Sequence, residues 1–587
     1  MKIQSVKDLE NIRRTYAREL YYPDSIKVNI GMAMCGIANG ARASYEKAVK
    51  EFSEDSRVAI RQTGCIGFCE KEPLVEIFKS GTPRIIYKNI TEDKISETIQ
   101  SHIENKFKKD WILGQVRDPR SLIEEDIENP LDAVIPFKEI PFIEDLPFYN
   151  RQVKIVTRNC GYIDPDSIEE YIARNGYSAF FYALNELKPD EIIKTIRESG
   201  LRGRGGGGFP AGIKWATCAK QKGERYIICN ADEGNPGAYV DRSIIEGDPH
   251  SILEGMLIAG LAIGSSQGFI YVRHEYPLSI KRLVTAIKAA EEYGLLGDNI
   301  GGSDFSFHIK ISTGAGAYVC GESTALMASL EGKVGRPRAK YVHTVEKGFR
   351  NSPSNLNNVE TYANVAAIIL KGAEWYASMG TEHSKGTKLF SLVGNIKNSG
   401  LIEIPMGVSL RDIVFEIGEG VTGDKNLKAV QTGGPSGGCI PESMLDIPVD
   451  FQKLTEVGSM MGAGGMIVMN EDVCMVEIAR HFLEFNKEES CGQCIPCREG
   501  IKQMLEILTA ICEGNGQKND IEHLEELGNM MQKFSLCALG TSAPSPVLTT
   551  ILYFRDEYES HIKDKKCPAG VCTSRFQQRG KEKSSCH

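Results

Sequence analysis

No stretch of this 587-residue chain reaches the roughly 18–20 consecutive apolar residues that a membrane-crossing helix needs, so membrane insertion is not expected. Positive charge is not in excess either. The 69 Lys and Arg stand against 78 Asp and Glu, the formal net charge is −9, and the basic residues are scattered, which argues against a nucleic-acid partner. The opening MKIQSVKDLENIRRTYAREL lacks the apolar centre of a secretory leader and reads as a short amphipathic helix. With 17 cysteines and no leader, the expectation is a reducing cytoplasm in which thiols serve as ligands rather than disulfides. No Ser-His-Asp set or acid–base pair stands out, so no residue is assigned as catalytic. The length exceeds what one hydrophobic core supports, and several domains are expected.

What the chain does have is an unusual cysteine run. Cys491, Cys494 and Cys497 in ESCGQCIPCREG are followed at a distance by Cys537 in FSLCALGTSAP. A C-x2-C-x2-C triplet places three thiolates in one tight turn, and a remote fourth completes the set. This suits a [4Fe–4S] cluster. Zinc sites usually come as two separated C-x2-C pairs, and a disulfide pair remains the other alternative. Such a cluster carries single electrons, which raises the question of their source.

Upstream, LRGRGGGGFPAGIKW at 201–215 concentrates Gly203, Gly205, Gly206, Gly207 and Gly208, with Lys214 close behind. Without side chains, backbone N–H groups can approach a phosphate or a flat ring. A strand-like YIICN leads into Asn230, Asp232 and Glu233, whose amide and carboxylates suit hydroxyls or a ring edge. GAGAYVCGESTALMASLEGK at 314–333 is another small-residue loop running into a helix, with Gly321, Glu322 and Ser323 at the junction. Asn357 and Asn358 open NNVET. Each of these is also a common turn or cap composition on its own.

In this order, GLRGRGGGGF, NADE, GAGAYVCGE, NNVET and SCGQCIPCREG resemble the family of flavin- and NADH-binding subunits of respiratory complex I, over about residues 150–572. That family also supplies diaphorase subunits of soluble [FeFe]-hydrogenases and formate dehydrogenases. The resemblance implies FMN held by Gly203, Arg204, Gly205, Lys214, Asn230, Asp232, Glu233, Gly321, Glu322, Asn357 and Asn358. It also implies a nicotinamide nucleotide on the flavin beside Phe209. The chemistry implied is hydride exchange between NAD(P)H and FMN, then single electrons to the Cys491/Cys494/Cys497/Cys537 cluster. The implied partners are a thioredoxin-like [2Fe–2S] subunit, a catalytic [FeFe]-hydrogenase or formate dehydrogenase subunit, and ferredoxin. Electron bifurcation in a strict anaerobe is the setting the resemblance favours.

The chain departs from the pattern at the nucleotide. Ser323 replaces the second acidic residue of CGEE, Asn235 replaces the acidic residue two beyond NADE, and Lys340-Tyr341-Val342-His343-Thr344 replaces the aromatic-containing segment KPPFPA. A carboxylate near the adenosine ribose repels a 2′-phosphate. Losing two, with Arg338 and Lys340 nearby, leads to the expectation that NADP(H) is accepted; NAD(H) is the alternative. Residues 25–108 resemble a thioredoxin-like ferredoxin domain, but Ile30 stands where the first of four thiolates belongs. Only Cys35, Cys65 and Cys69 remain, so a cluster-free docking domain is expected; the alternative is a [2Fe–2S] cluster completed by a fourth ligand that the sequence does not mark.

Cys474 and His481 are seven apart on the apparent helix EDVCMVEIARHFLEF, and Cys567 and Cys572 flank CPAGVC. Four such ligands would make a structural zinc site tying the tail to the helices; the alternative is that Cys474 and His481 are packed core residues. Related diaphorase subunits share the arrangement. Cys160, Cys218, Cys229, Cys320, Cys439, Cys512 and Cys586 show no ligand spacing and read as packed thiols. The expected architecture is α/β and multidomain. It comprises a helical arm (1–24), the thioredoxin-like domain (25–108), a linker (109–152), an α/β FMN and nucleotide core (153–385), a ubiquitin-like β-grasp domain (386–468), a helical [4Fe–4S] domain (469–562) and a zinc-knuckle-like tail (563–587). A non-catalytic wiring subunit and a complex I subunit are the competing functional readings.

Overall fold

The structure is a computed structural model that describes residues 2–124, 134–339 and 341–572. Lys340, Cys586 and the polar end from 573 therefore lie outside the described residues. The arm forms a helix, Val6–Tyr21, capped by Ser5, whose side chain accepts from the Asp8 amide. Leu9, Ile12, Ala17 and Leu20 fall on one face and bury themselves against the rest of the protein.

The N-terminal sheet has the order β2-β1-β3-β4-β5, with β1 (Ile26–Gly31), β2 (Val58–Thr63), β3 (Val75–Phe78), β4 (Ile85–Tyr87) and β5 (Ile112–Gln115). Only β1 and β2 run parallel. Strand β5 belongs to the stretch expected as linker. It joins because Ile112 and Leu113 are apolar enough to be buried against the sheet unit.

The central sheet is fully parallel, in the order β8-β7-β6-β9: β6 (Tyr226–Ala231), β7 (Gln267–Arg273), β8 (His308–Gly314) and β9 (Ser354–Asn358). Apolar runs such as YIIC suit strands covered on both faces. The helix Pro249–Ile263 beside them is buried almost throughout, as its all-round apolar sequence requires. Because the four strands share one direction, Asn230, Arg273, Gly314 and Asn358 meet at one carboxyl edge. Ligands of open α/β sheets bind at that edge.

A third, mixed sheet follows in the order β11-β10-β14-β12-β13: β10 (Thr387–Gly394), β11 (Gly400–Pro405), β12 (Leu427–Thr432), β13 (Cys439–Pro441) and β14 (Gly465–Asn470). The last strand carries this unit to 470. Helices Met475–Glu489, Ile495–Cys512, Asp520–Phe534 and Ser545–Glu559 then pack around Leu483, Met504, Leu508, Leu524 and Val547.

Candidate functional site

The glycine loop is held from several sides. Gly203 N–H donates to Phe209 O at 2.9 Å, closing the loop on itself. Gly206 adopts φ 122° and bridges to Gly462, just before β14. A Cβ on Gly205 would lie 3.0 Å from Asn358 Cβ, so glycine lets the loop lie against β9. The Arg204 side chain turns inward, away from any ligand. Its guanidinium donates to Thr387 O, Arg202 O, Tyr376 Oη and Lys385 O, and its backbone N–H donates to Thr361 Oγ1 at 2.9 Å. Lys214 Nζ donates to Leu356 O at 2.8 Å, and Phe209 stands 53% exposed.

At the carboxyl edge, Asn230 Nδ2 donates to Gly321 O at 2.9 Å, and its Oδ1 accepts from Asp232 N at 3.0 Å. Both Asp232 carboxylate oxygens are buried without a hydrogen-bond partner, with the Arg273 guanidinium 4.0 Å away. Burial pushes this carboxyl up to about 7. The Asn357 amide is orphaned in the same way. Buried polar groups are normally satisfied, so the orphaned Asp232 carboxylate, with Gly321 against it, fits a polar ligand such as a ribityl chain.

Glu233 faces elsewhere: its carboxylate accepts from Val240 N (2.7 Å) and Arg242 N (3.3 Å) at the start of the helix Val240–Gly247. Asn358 caps the helix Val359–Ala363 and donates to Asp241 Oδ2 at 2.6 Å. Glu322 caps the helix Ser323–Leu330, accepting from Thr324 N and Ala325 N, while Ser323 Oγ donates to it at 3.1 Å. Arg338 N–H donates to Thr324 Oγ1 at 3.0 Å, so this exposed arginine lies on the same junction, and His343 is exposed nearby.

Cys491, Cys494, Cys497 and Cys537 line one small cavity together with Val319. Cys494 and Cys537 immediately precede helices, and Cys497 lies in the first turn of Ile495–Cys512. Burial pushes the Cys497 thiol up to about 11, so binding of a metal cluster must expel its proton. The donor set and its shared cavity fit a sulfur-ligated cluster. Val319 and Gly321 are two residues apart on one loop, one at the cysteines and the other hydrogen-bonded to Asn230.

The second expected metal set needs one correction. Cys474 precedes rather than enters its helix, and His481 is exposed, so spacing by seven does not bring them together. Instead, the ligand atoms of Cys474, His561, Cys567 and Cys572 all lie within 4.8 Å of one another, and all four residues are buried. His561 Nδ1 bonds Glu557 O at 2.7 Å, which turns Nε2 toward Cys474 Sγ at 3.6 Å. The usable sequence signal was H-x5-C-x4-C in HIKDKKCPAGVC. Cys512, expected as a packed thiol, is buried, and its sulfur lies within 4.8 Å of Cys572 Sγ and of a carboxylate oxygen of half-buried Glu477.

Comparison with known proteins places residues 196–367 in the Nuo51 FMN-binding domain family and residues 477–561 in the NADH-ubiquinone oxidoreductase-F iron-sulfur binding region. The chain is 51% identical over 425 residues to the NADP-reducing hydrogenase subunit HndC of Solidesulfovibrio fructosivorans, covering 72% of this chain and 86% of that protein. It is 43% identical over 415 residues to an F-type subunit of the NADH-quinone oxidoreductase of Rhizobium meliloti, covering 70% of this chain and 99% of that one. The crystal structure of an NAD+-reducing [NiFe]-hydrogenase in the H2-reduced state matches 95% of this chain and 90% of that one, with TM-score 0.63 and 28% identity. No helix among the described residues is long and apolar enough to cross a membrane.

Proposed function

Because the chain belongs to the family of flavin- and nucleotide-binding subunits shared by complex I and NAD(P)-linked hydrogenases, we propose that it moves electrons between NADP(H) and its Cys491/Cys494/Cys497/Cys537 cluster within a multisubunit oxidoreductase. It is an NAD(P)H dehydrogenase flavoprotein module with FMN-binding and [4Fe–4S] regions. Bound FMN supplies the exchange of a hydride for two single electrons. The protein's own residues position and insulate. Asp232, Asn357 and Asn230 hold the polar chain, the 203–208 glycines let the backbone close on it, and exposed Phe209 offers a face to the nucleotide. The observation that carries the reading is the loop tying Gly321 at the flavin cradle to Val319 at the cluster cavity.

The NADP(H) preference rests on Ser323 and Asn235 in place of carboxylates, with Arg338 at the junction. The relative from Solidesulfovibrio fructosivorans is itself called NADP-reducing. We further assign a structural zinc to Cys474, His561, Cys567 and Cys572: three thiolates and one imidazole with no open position. The 25–115 unit is read as thioredoxin-like and the 386–470 unit as β-grasp. The partners are other oxidoreductase subunits; a thioredoxin-like [2Fe–2S] subunit, an [FeFe]-hydrogenase or formate dehydrogenase subunit and ferredoxin are the particular ones proposed, in a cytoplasmic, bifurcating complex. Anaerobic titration of the purified chain tests this. NADPH bleaches the flavin and reduces the cluster in wild type, and Cys537→Ser keeps the bleaching but loses the cluster signal. A kcat/KM far higher for NADH than for NADPH overturns the nucleotide preference, and a chain without flavin absorbance overturns the whole reading.

A further inference from the structure

The N-terminal unit holds a group of side chains that nothing above uses. Cys35 lies in the short helix Met34–Ala38 after β1, while Cys65 and Cys69 follow β2. Cys35, Cys65 and Cys69 line one small cavity. Beside them sits an acid that the sequence alone did not single out. Glu72 Oε1 accepts from Cys65 Sγ at 2.9 Å and Oε2 accepts from Leu74 N at 2.8 Å, in a residue only 5% exposed. Among the described residues Glu72 makes no ion pair. A carboxylate buried without a cation is costly unless it is protonated or takes a metal.

We propose that Cys35, Cys65, Cys69 and the Glu72 carboxylate form the ligand set of a [2Fe–2S] cluster, the carboxylate standing in for the fourth thiolate.

The surroundings are built for this. Ile30 is fully buried among Val28, Ile77 and other aliphatic side chains, so its side chain serves the sheet's core rather than the thiols. Gly31 and Gly36 keep the space around the carboxylate open: a Cβ on Gly36 would lie 3.1 Å from Glu72 Oε2 and 2.4 Å from Gly31 O. One cavity is lined by Gly31, Cys65 and Glu72, and the adjoining one by Cys35, Cys65 and Cys69, so Cys65 is the shared wall. Among the described residues, this set is not among those whose donor atoms all fall within 4.8 Å of one another, and neither is the Cys491 set. That spread suits a cluster with more than one iron rather than a single ion. Replacing thiolates by a harder donor is compatible with [2Fe–2S] chemistry, as the two-histidine Rieske centres show, and it alters the potential.

The flavin core holds the set in place. Glu246 Oε2 accepts from Met34 N at 2.8 Å, the Tyr239 hydroxyl is 3.7 Å from Cys69 Sγ, and Arg242 lines the cavity with a positive charge suited to an anionic cluster. Tyr239 adjoins Val240, whose amide donates to Glu233 of the NADE segment. The set therefore abuts the flavin core, and its ligands do not depend on which nucleotide the core binds.

The test uses the full chain, purified anaerobically, with iron and acid-labile sulfide counted and the reduced protein read by EPR and Mössbauer spectroscopy. Wild type is expected to hold about six irons, two of them in a [2Fe–2S] centre. Glu72→Ala is expected to lose about two irons and that centre's signal, keeping the cubane signal and the flavin. Glu72→Cys, which preserves the charge and supplies the missing sulfur, is expected to keep the iron while shifting the g values and midpoint potential. A wild-type chain with only the cubane overturns the proposal. So does a [2Fe–2S] signal whose g values and potential are the same in Glu72→Cys as in wild type. Flavin content, measured in parallel, reports the core separately.

Discussion

Asn230 Nδ2 reaches across from the end of β6 to the carbonyl of Gly321, 2.9 Å away. This bond pins the loop that continues to the cysteine cavity onto the strand edge that bears Asp232. Asn230→Ala is expected to lower the FMN content of the purified chain while leaving the iron of the Cys491 set in place. Flavin fluorescence after denaturation and an iron assay measure the two separately. Equal loss of both would assign Asn230 to general stability instead.

Asp232 gives the flavin-free chain a pH dependence. Its carboxyl lies at about 7 in the folded protein against 3.8 as an isolated group, because burial disfavours the charge. The folded state thus holds its proton more tightly than the unfolded state. Stability from this group is greatest at low pH, falls from about 4 to about 7, and is flat above that. The shift corresponds to on the order of 4 kcal/mol. Asp232→Asn is expected to raise the apparent Tm of flavin-free protein at pH 8, with the gain shrinking as the pH approaches 4. A gain independent of pH would mean that the carboxylate is not the cause.

Removal of His561 separates the two histidines offered by the sequence. His561→Ala is expected to lose about one zinc per chain, measured by elemental analysis, and to lower the apparent Tm. His481→Ala, on an exposed site, is expected to change neither.

Ser323→Glu restores a second carboxylate beside Glu322. It is expected to shift the ratio of kcat/KM for NADPH over NADH downward by about tenfold or more through repulsion of the 2′-phosphate. Steady-state kinetics with a one-electron dye suffice to measure it. An unchanged ratio would place the discrimination elsewhere on the nucleotide.

Local spacing was most legible where ligands cluster in the chain. The triplet Cys491, Cys494 and Cys497 converges because one turn leads straight into the helix Ile495–Cys512, and spacing alone reports that. The apolar run YIICN likewise marked β6 of the central sheet, whereas the polar β9, which ends in Asn357 and Asn358, read only as a turn or cap. Spacing failed at His481 because it presumed that Cys474 lay inside the helix, whereas Cys474 sits before its first turn. It also missed Glu72, since a carboxylate close in sequence to two cysteines reads as an ordinary surface acid until burial is known. Side-chain direction was likewise hidden: Arg204 and Glu233 lie in flavin-type segments, yet their side chains bind protein groups. Sequence order gives neighbours along the chain, and these choices were made by neighbours across it.

The bridge between Gly206 and Gly462, together with the buried pair of Lys388 and Glu360 at 2.5 Å, means that the glycine loop and the NNVET turn are each fastened to the 386–470 unit. Removing one partner of such a buried pair costs about 3–5 kcal/mol, because the other charge is left uncompensated. Anything that shifts the 386–470 unit, a subunit docked on its outer side included, is therefore expected to be felt at once at the glycine loop and at the NNVET turn.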